Sequence, residues 1–430
     1  MLSTYRRALA LPGAWQFSLT GFIARLPIAM VGLGIVLFIS TRTGSYALAG
    51  IMSAAFQVSA AAGAIATSRW TDRVGQHRLL PWLASINALA LVGFVAAVEL
   101  GAPLVVQVLV VAIAGAAQPS IGSMVRARWA AAAPDADRLR SAFALESIID
   151  ELIFSLGPLI TAFLAFQIAL PLPLLAGAAI GLAGGIALAL QRRTQPQPTA
   201  HAGSDQGPRG SALRQPGLIL VVVGALGVGG VFGSYEVAVV AFAGDRDASA
   251  ASGLILGVWA FGSMLGGIVF GAQHWRLPLP RQVMILSGVL ALVLVPAPFV
   301  STIPVLAVTT FLSGAAVAPA LIANFSLTER LVPSHLLTEG LTWTNSGLAL
   351  GFSAGTTISG FVIDSYGTTV AFWIPVLSAS LACITAILGQ GVLTRASAGR
   401  GQPAPAVSWN TDPLPGPTPG GIVDDPDAAR

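Results

Sequence analysis

Twelve apolar stretches recur along this 430-residue chain, near residues 14–39, 46–68, 79–99, 103–126, 140–166, 169–191, 217–243, 250–273, 282–300, 304–327, 337–363 and 368–393. A hydrocarbon core about 30 Å thick is crossed by about 20 helical residues, and the stretches have that length. Lipid offers no partner to backbone N–H and C=O groups, so a spanning segment must satisfy them internally, as an α-helix does. Composition agrees: 55% of residues are apolar and 9% are charged, too little charge to coat a soluble fold of this size. The chain reads as an all-α membrane protein with 12 transmembrane helices.

The same composition excludes several functions. Cys383 is the single cysteine, so there is no disulfide framework and no thiolate metal site. The four histidines, His77, His201, His274 and His335, have no metal spacing among them. No phosphate-cradling G-x-x-x-x-G-K is present, and no grouping of nucleophile, base and orienting residue. No enzyme activity, cofactor or metal is expected. The net charge of +4 comes entirely from arginine on the basic side, but the arginines fall in alternate connections and form no patch with interleaved aromatics, so nucleic acid is not a partner. Arg6 and Arg7 precede an apolar run reaching about Ser40, too long for a signal-peptide core, which makes it the first membrane helix. Arg69, Arg73, Arg78, Arg126, Arg128, Arg192, Arg193, Arg276, Arg281, Arg330 and Arg395 fall on one side, against Arg42 and Arg246 on the other. The positive-inside bias then places both termini in the cytoplasm, and a basic complement made wholly of arginine points to a bacterial coding bias and hence a bacterial inner membrane.

A repeat relates the two parts of the sequence. Ala49-Gly50 corresponds to Ser252-Gly253, Gly63 to Gly266, Ser68 to Gly271, Arg73 to Arg276 and Arg78 to Arg281, all at one offset. Further on, Gly115-Ala116-Ala117 and Pro119 answer Gly314-Ala315-Ala316 and Pro319. The expected organisation is two pseudo-symmetric six-helix bundles, 1–192 and 217–394. A cytoplasmic linker over 193–216, rich in Gln, Pro, Gly and Ser, joins them, and a disordered tail over 395–430 follows.

Between the second and third apolar stretches lies a dense charged segment, Ser68 to Arg78, reading S-R-W-T-D-R-V-G-Q-H-R. Asp72, Arg73, Gly75 and Arg78 match the D-R-x-G-x-R part of the loop between helices two and three of the major facilitator superfamily, with Ser68 where that family has a glycine. With the parallel repeat, the resemblance covers roughly residues 10 to 393. It departs at Leu109, where the drug antiporters of the family carry an arginine, and around Gly157-Pro158, where their motif has further glycines. The resemblance implies a monomeric secondary transporter that rocks its halves around a substrate path near mid-membrane. It also implies a gating loop, with Ser68, Asp72, Arg73, Gly75 and Arg78 in one half, Asp72 facing the start of helix eleven, and Gly271, Arg276 and Arg281 in the other. Trp275 replaces the acidic residue in the second copy.

Charge at membrane depth is costly and marks function by default. Counting about 1.5 Å per residue, Arg25, Asp150 and Glu151 reach a common level near the membrane centre. Glu146 lies one turn shallower than Asp150 on the same face, close to the cytoplasmic interface. Glu236 and Asp364 fall at external helix ends, and Asp364 is expected to be interfacial and inert. Arg25 either pairs structurally with Asp150 or Glu151 or binds an anionic substrate group. Neighbouring helical residues point about 100° apart, so one arginine cannot easily satisfy both carboxylates. The one left over suits proton binding and release. Arg25, Glu146, Asp150 and Glu151 thus form the candidate proton-coupling network. Gln57, Gln118, Glu236, Trp259, Asn324, Trp343 and Asn345 are candidates for the substrate cavity. Aromatic walls with a few amides suit a small amphipathic molecule better than a sugar. The favoured reading is proton-coupled efflux of such compounds, with protons, a small-molecule substrate and the bilayer as partners. An importer of a small organic anion and a transport-inactive scaffold or sensor are the rivals.

Overall fold

In the computed structural model the described residues are 9–196, 211–273, 275–333 and 336–398, apart from the side chains of Arg69, Asp72, Ala136, Asp137, Arg140 and Thr338. They contain 12 helical spans long and apolar enough to cross a membrane. The first half holds α1 (Ala14–Thr43), α2 (Tyr46–Val74), α3 (Gln76–Glu99), α4 in two pieces (Leu104–Ala116 and Ile121–Ala132), α5 (Ala136–Phe163) and α6 (Leu172–Leu190). The second holds α7 (Leu218–Gly244), α8 (Ala251–Ala272), α9 (Leu279–Leu294), α10 (Ile303–Leu331), α11 (Leu337–Tyr366) and α12 (Trp373–Ala398). The twelve expected spans are all present, and the fold is the expected pair of pseudo-symmetric bundles.

Two boundaries differ from expectation. The charged stretch 68–78 is not an extended loop, because α2 stays helical to Val74 and α3 begins at Gln76. One residue makes the turn: Gly75 has φ 89° and ψ 149°, a conformation that a β-carbon would penalise. The second copy does open out after Ala272, with Pro278 capping the start of α9. Proline cannot donate the hydrogen bond that would continue a helix. At the far end, α12 runs to Ala398, so the first residues of the expected tail are helical, and the remainder lies outside the described residues. Of the linker, the described ends form short 3-10 turns at Arg192–Thr194 and Ala212–Arg214.

The repeated glycines mark where helix backbones touch. A β-carbon on Gly63 would strike the carbonyl of Ala116, and one on Gly266 would strike the carbonyl of Ala315. Gly115 likewise abuts the carbonyl of Phe56, and Gly314 that of Trp259. The α2–α4 crossing of one half is therefore rebuilt as the α8–α10 crossing of the other, with small residues permitting close approach in a medium where hydrophobicity does not drive association.

The two halves meet through α2 with α11 and α5 with α8. At the arginine-poor end they share one continuous apolar core, which includes Val36, Phe38, Met52, Phe94, Tyr235, Phe242, Leu290 and Phe372. At the arginine-rich end the described residues form separate cores. One contains Phe17, Leu80, Trp129 and Leu188 of the first half, another Val221, Phe270, Leu327 and Leu393 of the second, and a small third one Ala212, Leu218, Val332 and Leu336. The bundles are fused at one end and parted at the other.

Candidate functional site

A cavity of about 2040 Å³ occupies the parting. Its wall runs from mid-bundle residues such as Gly32, Gln57, Phe232 and Trp259 to Ser68, Leu336 and Glu339 at the arginine-rich rim. Inner members of the fused core such as Phe56, Leu256 and Val317 floor the cavity, while Val36, Phe38, Met52, Tyr235, Phe242 and Phe372 beyond them do not line it, so the protein is open toward its arginine-rich side.

On the first-half wall, the charged network is built by α1, α4 and α5. Arg25 Nη1 donates to Asp150 Oδ1 at 2.6 Å, and Arg126 Nη2 donates to Asp150 Oδ2 at 2.6 Å. Arg25 Nη2 pairs with Glu146 Oε2, and Arg25 Nε donates to the Gly21 carbonyl at 3.0 Å. Glu146 Oε1 also accepts from Ser18 Oγ at 2.9 Å and from Trp129 Nε1 at 2.8 Å. Glu146 is fully buried and Arg25 is 2% exposed, so each supplies the counter-charge that makes the other's burial tolerable. The cluster holds two guanidinium groups and two carboxylates.

This arrangement revises several expectations. Glu146, expected close to the cytoplasmic interface, is fully buried at the centre of the network, where Trp129 and Phe17, with ring centroids 4.7 Å apart, help seal it from solvent. Arg25 is not on the cavity wall, and all three of its guanidinium nitrogens are engaged within the protein, so it offers no free anchor for an anionic ligand. Arg126 was assigned to a connection only because the apolar run fades there. The helix in fact continues to Ala132, and the same extension turns Arg128 into a buried staple donating to Gln76 Oε1, the Leu188 carbonyl and Thr194 Oγ1. Ser18 and Trp129 carry no signal in the sequence that would single them out.

Glu151 stands apart from this network. It lies on the cavity wall beside Asp150, yet it takes part in no hydrogen bond or ion pair among the described residues. The angular separation of adjacent helical residues, about 100°, sends Asp150 toward the two arginines and Glu151 into the cavity.

The second-half wall carries Glu236, eight residues before the end of α7. It therefore lies about 12 Å inside that end at 1.5 Å per residue, deeper than expected and on the cavity wall. Its Oε1 is shut off from solvent and has no hydrogen-bond partner. Phe232 lies one turn before it on the same face, and Trp259 of α8 packs on Phe232 with ring centroids 5.0 Å apart. Trp259 is 7% exposed, and its Nε1 is buried without a partner.

Gln57, Gln118 and Asn345 are also on the wall. Gln118 sits in the break of α4, which Pro119 enforces, and its Oε1 is likewise buried and unpartnered. Two candidates move off the wall. Asn324 of α10 is 2% exposed and packed against Gly224 of α7, while Trp343, 40% exposed, does not line the cavity and donates to Glu339 Oε1 at 3.4 Å. In each case the position around the helix, not the depth along it, decides. Among the charged-stretch residues, Ser68 reaches the cavity mouth and Arg73, Arg78, Gly271, Arg276 and Arg281 are exposed at the arginine-rich end. The Asp72 side chain lies outside the described residues.

Asp364 is not inert. From the end of α11 in the second half it caps the start of α2 in the first, Oδ2 accepting from Ser45 Oγ at 2.7 Å and Ala47 N at 2.9 Å, and Oδ1 accepting from Tyr46 N at 2.9 Å. A carboxylate suits the unpaired N–H groups and positive end of a helix N-terminus. Here the contact bolts the fused end shut.

The sequence profile of the Major Facilitator Superfamily matches residues 17–278 and 275–417. The chain belongs to that superfamily. Its members' architecture recurs in solved structures. The nucleoside transporter NupG superposes with a TM-score of 0.69 at 15% identity, covering 88% of this chain and 98% of that one. The peptide transporter POT in complex with sulfate gives 0.65 at 13% identity, with coverage of 90% and 95%. A bacterial homologue of the iron transporter ferroportin in its inward-facing state gives 0.61 at 18% identity, with coverage of 87% and 98%. At these identities the likeness is one of fold. No curated protein sequence matches the chain. This major facilitator protein is a multi-pass membrane transporter rather than an enzyme, and its fold is that of secondary transport.

Proposed function

We propose that this transporter is a proton-driven exporter of small amphipathic compounds, acting as a monomer in a bacterial cytoplasmic membrane with both termini inside. The arginine-rich end is then cytoplasmic, and the cavity described above is open to the cytoplasm. Glu151 carries the reading. A carboxylate facing a largely apolar cavity without a cation is costly in charged form, and binding a proton removes that cost. Asp150 is the weaker candidate for the coupling group, since both of its oxygens are taken. It serves with Arg25 and Glu146 to fix α1, α4 and α5 so that Glu151 points inward. At the cytoplasmic rim, Ser68, Asp72, Arg73 and Arg78 would close the mouth against the start of α11 when the halves rock, with Gly75 as the fixed turn and Gly271, Arg276 and Arg281 as the second, non-acidic copy.

The test is transport in proteoliposomes loaded with amphipathic fluorescent dyes that are cationic, neutral or anionic. Glu151→Gln should still exchange dye down the dye's own gradient but lose accumulation driven by a pH gradient. Undiminished pH-driven accumulation in that variant would remove the coupling assignment.

A further inference from the structure

We infer that the second-half wall of the cavity is a subsite for an organic cation, with Glu236 facing the charge and Phe232 and Trp259 flanking the apolar body. The inference rests on the transport reading of this cavity and narrows its substrate class.

The charge of the whole wall is the first argument. Among the described residues, the ionisable side chains that line it are Asp150, Glu151, Glu236 and Glu339, all acidic. The nearby guanidinium groups, Arg25 and Arg126, are paired to Asp150 and Glu146 and do not line it. An anionic ligand would add like charge beside Glu151 and Glu236, which no cation of the described residues pairs with, whereas a cationic ligand completes them.

Geometry at Glu236 is the second argument. The carboxylate is deep in the cavity, near the closed end, with a sealed oxygen lacking any partner. Polar groups buried in this way are ordinarily hydrogen-bonded, and among the described residues no cation or donor pairs with this carboxylate, so a cation entering the cavity beside it supplies the counter-charge that the protein does not. The aromatic neighbours suit the same ligand. A ring face attracts a cation within about 6 Å of its centroid; Phe232 lies one turn from the carboxylate, and Trp259 packs against it at a tilt, with centroids 5.0 Å apart. A metal ion does not fit the site: the described residues contain no cluster of three or more His, Cys, Asp or Glu able to hold one.

Tetraphenylphosphonium and tetraphenylborate have the same shape and opposite charge, and their equilibrium binding to the purified full-length protein in detergent tests the subsite. The phosphonium should bind saturably and at least tenfold more tightly than the borate. Glu236→Gln should weaken it at least tenfold, Glu236→Asp should recover part of the loss in a protein of unchanged charge, and Glu99→Gln, which removes a carboxylate outside the cavity, should leave it within about twofold. Equal affinity for the two ions, no saturable phosphonium binding, or phosphonium binding indifferent to Glu236→Gln would each overturn the inference. Because binding needs no gradient, cation selectivity without pH-driven transport would sink the coupling assignment alone, and pH-driven transport without cation selectivity would sink the subsite alone.

Discussion

Adjacent residues Asp150 and Glu151 share a depth and a chemistry, yet their surroundings give them opposite tasks. Asp150 is clamped by Arg25 and Arg126, both at 2.6 Å, and Glu151 is left to the cavity. The clamp depends on Arg25 more than on any other side chain, because it alone bridges both carboxylates. Removing it would strand the fully buried Glu146, a change that typically costs about 3–5 kcal/mol. Arg25→Gln should therefore lower the thermal unfolding temperature markedly, and adding Glu146→Gln should restore much of the loss. If the double variant is no more stable than Arg25→Gln alone, the pair is not the unit of stability drawn here. Arg25→Lys should rescue poorly, since a single ammonium cannot present the guanidinium fork to two acceptors.

The helices that join the two bundles touch through glycine. A β-carbon on Gly50 of α2 would come within 2.5 Å of the Thr356 carbonyl oxygen on α11, and one on Gly253 of α8 would come within 2.5 Å of the Pro158 carbonyl oxygen on α5. A carbonyl in a helix cannot move aside as a side-chain tip can, so the halves would have to separate. Gly253→Leu should favour opening at the arginine-poor end, read as faster labelling of cysteines introduced there. Gly63→Leu is the matched control. Its clash is with Ala116 of the same half, so it should cost stability, about 1–3 kcal/mol for overpacking, without changing labelling. Equal labelling in the two variants would show that the α5–α8 contact does not govern the state.

The molecule as a whole is bolted at one end and parted at the other. The most specific polar contact across the bolted end is Asp364 with the start of α2. To turn its cavity outward the transporter must break this cap, which at such sites is worth about 1 kcal/mol. Asp364→Asn keeps the shape but gives up the charge and part of the hydrogen bonding. It should shift the population toward the state open at the arginine-poor end by a factor of about five, measured by distances between spin labels placed on α2 and α11. An unchanged distance distribution would reduce Asp364 to a local helix cap.

Much of this protein is legible without coordinates, and the division has a physical basis. Whether a segment crosses a membrane depends on the summed transfer energy of its own residues, so twelve apolar stretches were enough to define twelve helices, and glycines repeated at a fixed offset were enough to pair the halves. The depth of Arg25 and Asp150 followed from counting along a helix. Partnership did not, because it depends on distances between helices far apart in sequence and on rotation about each axis. That is why Arg126 and Arg128 read as loop charges although α4 continues past them, why Asn324 and Trp343 fall off the cavity wall, and why Asp364, unremarkable at a helix end, meets the other half of the molecule. The sequence alone determined the number and kind of helices and the charges they carry into the membrane. Only the tertiary structure decided which of those charges are spent on one another and which are left facing the cavity.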